Sequence, residues 1–214
     1  MVNEKHLIFD YGHGDNCPGK CSPDRSFYEW ESNRLIGTEV AARMRNKGYL
    51  VDEIWTQKHE PLSIPGKMCT SKELKAALNW RTKEVNKYCD KYGTHNCISV
   101  SFHSNAAGAD GKWHDASGFC VMVGLKASQT SKRIARFVYD SAAKRNLQGN
   151  RFVPVEHCWA QSLAMCDNTK CPAILIEAMF YDNKSDLALL TSDEGRELVT
   201  EAIVEGLTKF LESQ

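Results

Sequence analysis

Pro172-Ala173-Ile174-Leu175-Ile176-Glu177-Ala178-Met179-Phe180 is the stretch on which the fold turns. Residues 173 to 176 are uninterruptedly apolar, as expected of a strand buried on both faces in a largely parallel sheet. The run then meets a carboxylate, and Glu177 has apolar neighbours on either side. Burying an unpaired charge costs several kcal/mol, so this group must be ion-paired, protonated or close to a cation. A salt bridge to an arginine is the plain reading, and a catalytic base beside a metal ion is the sharper one.

Working outward, two more strands end in polar residues. Leu7-Ile8-Phe9 runs into Asp10, and Gly12-His13-Gly14 then breaks the chain into a loop reaching about Phe27. Ile98, Val100 and Phe102 alternate with Ser99, Ser101 and His103, the period-two signature of a strand. Leu50-Val51 with Ile54-Trp55, and residues 118–123, read as further strands. Between them lie helical patterns. Ile36, Val40 and Met44 recur every four residues before Gly48. Residues 71–92 offer Leu74, Leu78, Val85 and Tyr88 for one face, after a loop marked by Pro61, Pro65 and Gly66. Ile134, Phe137 and Val138 line a helix ending near Asn146 or Gly149. A last helix carries Val199, Ile203, Leu207 and Phe210, with Thr191 and Glu194 placed as a capping box. The alternation predicts an α/β fold: three layers, a largely parallel or mixed twisted sheet with helices on both faces, and a single domain over 1–214. The order of the strands is not readable.

Composition narrows the partners. Lys and Arg total 27 against 27 for Asp and Glu, without long runs of one sign, so neither nucleic acid nor anionic lipid is favoured. No apolar stretch is long enough to span a bilayer. Met1-Val2-Asn3-Glu4-Lys5-His6 leads directly into a short apolar run and has no signal-peptide character, so synthesis in a cytoplasm is expected. Nine cysteines are an odd number in a chain too large to need stapling, and most are expected to be reduced. Cys97, Cys120, Cys158 and Cys166 lie in or beside apolar runs and serve as small hydrophobes. Cys17 with Cys21, or Cys166 with Cys171, are the thiol pairs available to a structural metal, but neither has the usual two-residue spacing.

If the strands ending at Asp10, His103 and Glu177 are parallel, their ends share the edge where open α/β sheets bind ligands. That edge would gather His13, His103 and a carboxylate, a set suited to a metal centre. Each has a simpler reading. His13 can satisfy backbone groups in its turn, and His103 can be a solvent-facing strand end. Glu29 can close the first turn of a helix in the capping box Ser26-Phe27-Tyr28-Glu29. Glu31, two positions on, faces another side, so at most one of the two glutamates reaches a shared site.

Taken together, these segments resemble the zinc-dependent N-acetylmuramoyl-L-alanine amidases, a family of cell-division amidases, spore-cortex and autolytic enzymes and phage endolysins. Ile8-Phe9-Asp10-Tyr11-Gly12-His13-Gly14 is similar to the family's opening strand and Asp-Pro-Gly-His-Gly loop, with Tyr11 where proline is usual. Glu29 stands four residues before Asn33, followed by the Gly48-Tyr49-Leu50-Val51 turn; this spacing selects Glu29 over Glu31. Leu78-Asn79-Trp80-Arg81 through Asn86 resembles the Leu-x-x-Arg…Asn helix. Ser101-Phe102-His103-Ser104-Asn105-Ala106 resembles Ser-Ile-His-Ala-Asn-Ala, and 172–177 resembles Pro-Ala-Val-Leu-Val-Glu. Asp182-Asn183, where Ser-Asn is usual, is a departure, as is the Cys- and Pro-rich loop from Asn16 to Ser26.

The resemblance implies a peptidoglycan hydrolase that cuts the amide bond between N-acetylmuramic acid and L-alanine of the stem peptide. His13, Glu29 and His103 would hold one catalytic zinc, with Glu177 as the catalytic proton carrier and Asn105 as a substrate donor. Asp10 would either support a ligand imidazole or have a buried structural duty. The chain length predicts one catalytic domain over 1–214, with no appended wall-binding module visible, and the lack of an export signal suggests phage-lysin-like release or a trimmed signal. Two competing readings are a cysteine hydrolase using Cys17 or Cys21 with a histidine, and a zinc-holding, wall-binding module without turnover.

Overall fold

A computed structural model describes residues 5–214. The reading of the amino terminus made on Met1-Val2-Asn3-Glu4 lies outside the described residues. Six strands form one sheet: β1 (His6–Tyr11), β2 (Leu50–Glu53), β3 (Cys97–Asn105), β4 (Cys120–Val123), β5 (Trp159–Ala160) and β6 (Ala173–Phe180), in the order β2-β1-β3-β6-β4-β5. The first four in that order run parallel. β4 is antiparallel to β6, so the sheet is mixed. The helices are α1 (Glu29–Asn46), α2 (Ser71–Tyr92), α3 (Gln129–Ala143), α4 (Ala164–Asp167), α5 (Lys184–Thr191) and α6 (Asp193–Glu212).

Side-chain alternation along each strand assigns the two faces. Leu7, Phe9 and Tyr11, Ile98, Val100 and Phe102, and Ile174 and Ile176 pack into one large core with Val40 and Met44 of α1, Ile134 and Val138 of α3, and Ile203 and Leu207 of α6. The opposite face carries Ile8 and Cys97, covered by Val85 and Cys89 of α2 and Met165 of α4. This second layer also covers the polar side of β3. Its serines do not face water: Ser99 and Ser101 are 0% exposed. They share the α2 side of the sheet with Asp10, His103 and Glu177, following the period of two along each strand.

Several boundaries move for identifiable reasons. β2 stops at Glu53, so Ile54 only donates its N–H to the Phe9 carbonyl and Trp55 lies beyond the strand. The buried face of α2 is Ala77, Arg81, Val85 and Cys89, whereas Leu78 is 38% exposed: a buried ion pair, not the leucines, orients this helix. The α6 cap is Ser192, whose hydroxyl accepts from Gly195 N–H. Thr191 instead ends α5, a short helix the apolar spacing did not indicate, and returns its hydroxyl to the Leu187 carbonyl. α3 closes at Ala143, before Asn146.

The residue that orients α2 is Arg81. It is 3% exposed, and its guanidinium is paired with Asp10 and donates to Glu60 at 3.0 Å and to the Tyr11 carbonyl at 2.8 Å. Burial by itself would lower the affinity of Arg81 for its proton, but the two carboxylates outweigh that and raise it. Asp10 thus has the structural duty, with its charge spent on Arg81. Tyr11, in the place of the family's proline, lies flat against α1 where only glycine fits: a Cβ on Gly37 would sit 2.2 Å from its ring. Its hydroxyl donates to Glu53 at 2.6 Å.

Replacing Arg81 with Met should cost about 3–5 kcal/mol, because two buried carboxylates lose their common cation. Urea unfolding with an unchanged denaturant slope is the measurement, and a loss below about 1 kcal/mol, the scale of exposed pairs, would show that the cluster is not held dry.

Candidate active site

The carboxyl ends of β1, β3 and β6 deliver the site. In the β3–β6 register His103 stands opposite Glu177, and the pairing then shifts so that Asn105 meets Phe180. β6 therefore holds an extra residue just past Glu177, where Met179 takes a positive φ of 66°. Such bulges bend a strand and re-aim its side chains, and this one ends regular pairing beside the cleft.

The loop after β1 is clamped from several sides. Gly12 donates to the Phe102 carbonyl at 2.9 Å, while its own carbonyl accepts from the Asn33 amide at 2.9 Å and the His13 carbonyl accepts from Arg34 at 2.8 Å. The His103 ring covers Gly12 so closely that a Cβ there would lie 2.2 Å from the imidazole. His13 itself has a φ of 58°, the left-handed region uncommon for non-glycine residues.

Glu29 opens α1 but does not cap it. Tyr28 is the cap residue and makes no side-chain cap bond, so the Ser26 capping box does not form. Glu29 turns inward instead, on the same helix face as Asn33, while Glu31 points to solvent. Its Oε1 lies 3.1 Å from His103 Nδ1 and 3.5 Å from His13 Nε2, and accepts from Ser104 N–H at 3.2 Å. The two imidazoles stand edge to face with centroids 4.9 Å apart. One donor atom from each of His13, Glu29 and His103 lies within 4.8 Å of the others, a group that can hold a metal ion.

Burial works against the charge on Glu29, yet the His13 and His103 rings override it and hold the carboxyl at about 2. Burial drives His13 down to about 3. His103 pays the same burial but is raised by its hydrogen bond to Glu29. Glu177 is pushed up to about 7, first by burial, with His103 pulling the other way and the Glu29 charge pushing further. The arginine salt bridge considered for Glu177 is absent among the described residues, and its Oε2 is shielded from solvent without a hydrogen-bond donor; the same holds for Glu29 Oε2. Lys20 Nζ is 3.9 Å from that Glu29 oxygen, longer than a hydrogen bond.

A cleft of about 860 Å³ opens over these groups, with Asn105, Tyr181 and Leu163 in its walls. Asp182 accepts from the N–H groups of Ala107 and Gly108 at 2.7 and 3.1 Å and so holds the rim, and Asn183 caps α5. Sequence reading missed Lys20, the Ser104 N–H and Tyr181. Lys20 is carried in by a backbone bridge between Cys21 and Tyr28, a tertiary pairing with no periodic signal.

All nine cysteines are free. Neither Cys17 with Cys21 nor Cys166 with Cys171 is among the described groups able to hold a metal. Cys171 packs instead with Cys89 and Cys97 under α2. Cys17 does meet a histidine, its Sγ 3.4 Å from His13 Nδ1. Burial, however, pushes this thiol up to about 12, away from the thiolate that a cysteine hydrolase requires.

The family model described as N-acetylmuramoyl-L-alanine amidase matches residues 7–209, and the chain belongs to that family. It is a hydrolase of peptidoglycan, acting on the cell wall at the bond between N-acetylmuramic acid and L-alanine. Solved structures with the same fold include the CwlD amidase of Clostridioides difficile in complex with the GerS lipoprotein, at 22% identity and a TM-score of 0.81, covering 98% of this chain and 100% of that one. Ami1 of Mycobacterium smegmatis follows at 18% and 0.76, covering 98% of each chain. The catalytic domain of CwlV from Bacillus (Paenibacillus) polymyxa var. colistinus stands at 18% and 0.72, covering 98% and 99%. No curated protein sequence matches. No helix among the described residues is long and apolar enough to cross a membrane.

The raised carboxyl of Glu177 has a stability consequence with a definite sign. A folded-state value of about 7 against 4.5 for the free side chain penalises the folded state once the group must ionise. The penalty is absent below the unfolded value and complete above the folded one. Glu177→Gln in chelator-stripped protein should therefore unfold at higher urea than the parent at pH 8 and at the same urea at pH 4, and equal midpoints at both would contradict the assignment.

Proposed function

We propose that His13, Glu29 and His103 hold one zinc ion and that Glu177 carries the proton in cleavage of the N-acetylmuramoyl-L-alanine amide. The observation that carries this reading is the convergence of two imidazoles and a carboxylate from two separate strand ends and a helix start. Glu29 and Glu177 each keep a shielded oxygen with no donor, which fits a cation between them. Two nitrogens and one oxygen also make the donor set of a catalytic zinc site that leaves a position open. When bound, zinc supplies Lewis acidity, lowering the pKa of water to about 7 and polarising the scissile carbonyl.

The remaining steps belong to the chain. Glu177, poised near neutrality, takes a proton from the attacking water as oxygen bonds to the carbonyl carbon. It returns that proton to the L-alanine nitrogen as the carbon–nitrogen bond breaks. The Ser104 N–H and the Asn33 bond to Gly12 keep Glu29 and the His13 loop in register, so neither ligand must be reorganised when substrate arrives. Asn105 lines the cleft and is assigned to substrate, its Oδ1 already turned to the Ala106 N–H and its amide nitrogen left to donate. We assign the whole of 1–214 to one catalytic unit, in an enzyme of the lysin or autolysin type.

Glu177→Ala should keep zinc and lose about 10²–10⁴-fold in turnover, the usual share of a general acid–base. His13→Ala and His103→Ala should lose the metal itself. Release of stem peptides from purified walls, read by mass analysis beside zinc content, separates the two outcomes. Sustained cleavage by Glu177→Ala, or by protein verified to be metal-free, would remove the mechanism.

A further inference from the structure

His13 is given to the metal by one nitrogen only, and the structure leaves its other nitrogen in an unusual place. Nε2 faces Glu29 at 3.5 Å, while Nδ1 faces the Cys17 sulfur at 3.4 Å. An imidazole that ligates through Nε2 carries its proton on Nδ1, and the partner of that N–H decides tautomer and ring orientation. The left-handed backbone at His13 lies outside any helix or strand, so no regular structure sets the ring's direction.

The sulfur is held independently of the ring. Cys17 N–H donates to the Gly14 carbonyl at 3.0 Å, closing the loop into a turn. Next to it, Asn16 is pinned four times: its amide donates to Ser63 and to the Lys67 carbonyl, its Oδ1 accepts from Glu60 N–H, and its carbonyl accepts from Cys69 N–H. Gly14 is pressed so close to this second loop that a Cβ would lie 2.3 Å from the Glu60 nitrogen. Cys17 is buried, and its Sγ is therefore a fixed, dry acceptor.

We propose that Cys17 is a positioning residue for the zinc site: its sulfur accepts the Nδ1–H of His13 and so turns the Nε2 lone pair toward the metal. This rests on the ligand role of His13 proposed above. His13, Cys17 and Glu60 also form a group that can hold a cation of its own. Two features speak against that occupant. Arg81 already supplies Glu60 with a positive charge at 3.0 Å, and a cation on Nδ1 would require the ring to give up its last proton. The same packing keeps the sulfur covered and turned to Nδ1, away from the Nε2 side where Glu29 stands.

Zinc affinity measured by competition with a chromophoric chelator tests the inference on the full chain. Cys17→Ala should bind zinc about 10–100-fold more weakly, the usual effect of removing the partner of a ligand imidazole. Cys17→Ser, which keeps an acceptor in a smaller side chain, should recover most of that loss, whereas a purely packing role would leave Ser no better than Ala. The cobalt-substituted parent should lack a sulfur-to-cobalt charge-transfer band. Unchanged affinity in Cys17→Ala, failure of Ser to rescue, a charge-transfer band, or a second bound equivalent that vanishes with Cys17 each overturns the proposal. Loss of zinc in His13→Ala together with unchanged affinity in Cys17→Ala would sink this inference alone. Retention of zinc by His13→Ala would sink the ligand reading as well.

Discussion

One carboxylate pressed between two imidazoles organises this molecule. Glu29 is almost wholly buried, close to His13 and His103 through one oxygen, with the other sealed from water and given no donor. A second acidic group, Glu177, stands nearby with its own shielded oxygen and a carboxyl raised toward neutrality. The two imidazoles offset the burial of Glu29, whereas among the described residues no cation pairs with Glu177, and the lysine nearest Glu29 stands almost 4 Å away. The raised carboxyl of Glu177 comes first from the burial that shapes the site.

The surrounding fold contains the opposite solution to the same problem. Three residues before His13, Asp10 is also a buried carboxylate, yet it is matched by Arg81, which binds Glu60 and the Tyr11 carbonyl as well. The matched cluster ties β1, α2 and the 58–69 loop together beneath the unmatched one. Parallel strands β1, β3 and β6 then bring their carboxyl ends to a single edge, and the bulge after Glu177 ends the sheet where the cleft begins. Rigidity below and an unbalanced charge above suit the metal site proposed for these residues.

Much of this was legible in the residue order because the relevant signals are local. The apolar run 173–176 and the alternation at 98–103 follow from the period of a strand, and Glu177 stood out because a charge interrupts an apolar neighbourhood. Glu29 was legible only with help from motif spacing, since physics alone left it as a helix cap. In the structure Tyr28 holds the cap position and Glu29 turns to the histidines. The face of α2 was misjudged because its leucines suggested an apolar contact, whereas a buried ion pair at Arg81 sets the rotation. The cap of α6 moved by one residue because α5 continues to Thr191.

By itself, the sequence determined the longer strands and helices, though not β5, α4 or α5, that both faces of the sheet are covered, and which two histidines and which carboxylates could meet. These depend on periodicity and on the cost of burying charge, both readable along a line. Only the tertiary structure decided the strand order, the antiparallel β4, the commitment of Asp10 to Arg81, and the placing of Lys20, Tyr181 and the Cys17 sulfur around the site. Most of those features depend on contacts between segments tens of residues apart, and Lys20 and Cys17 on irregular loop pairings over shorter spans, and no period in the chain records either.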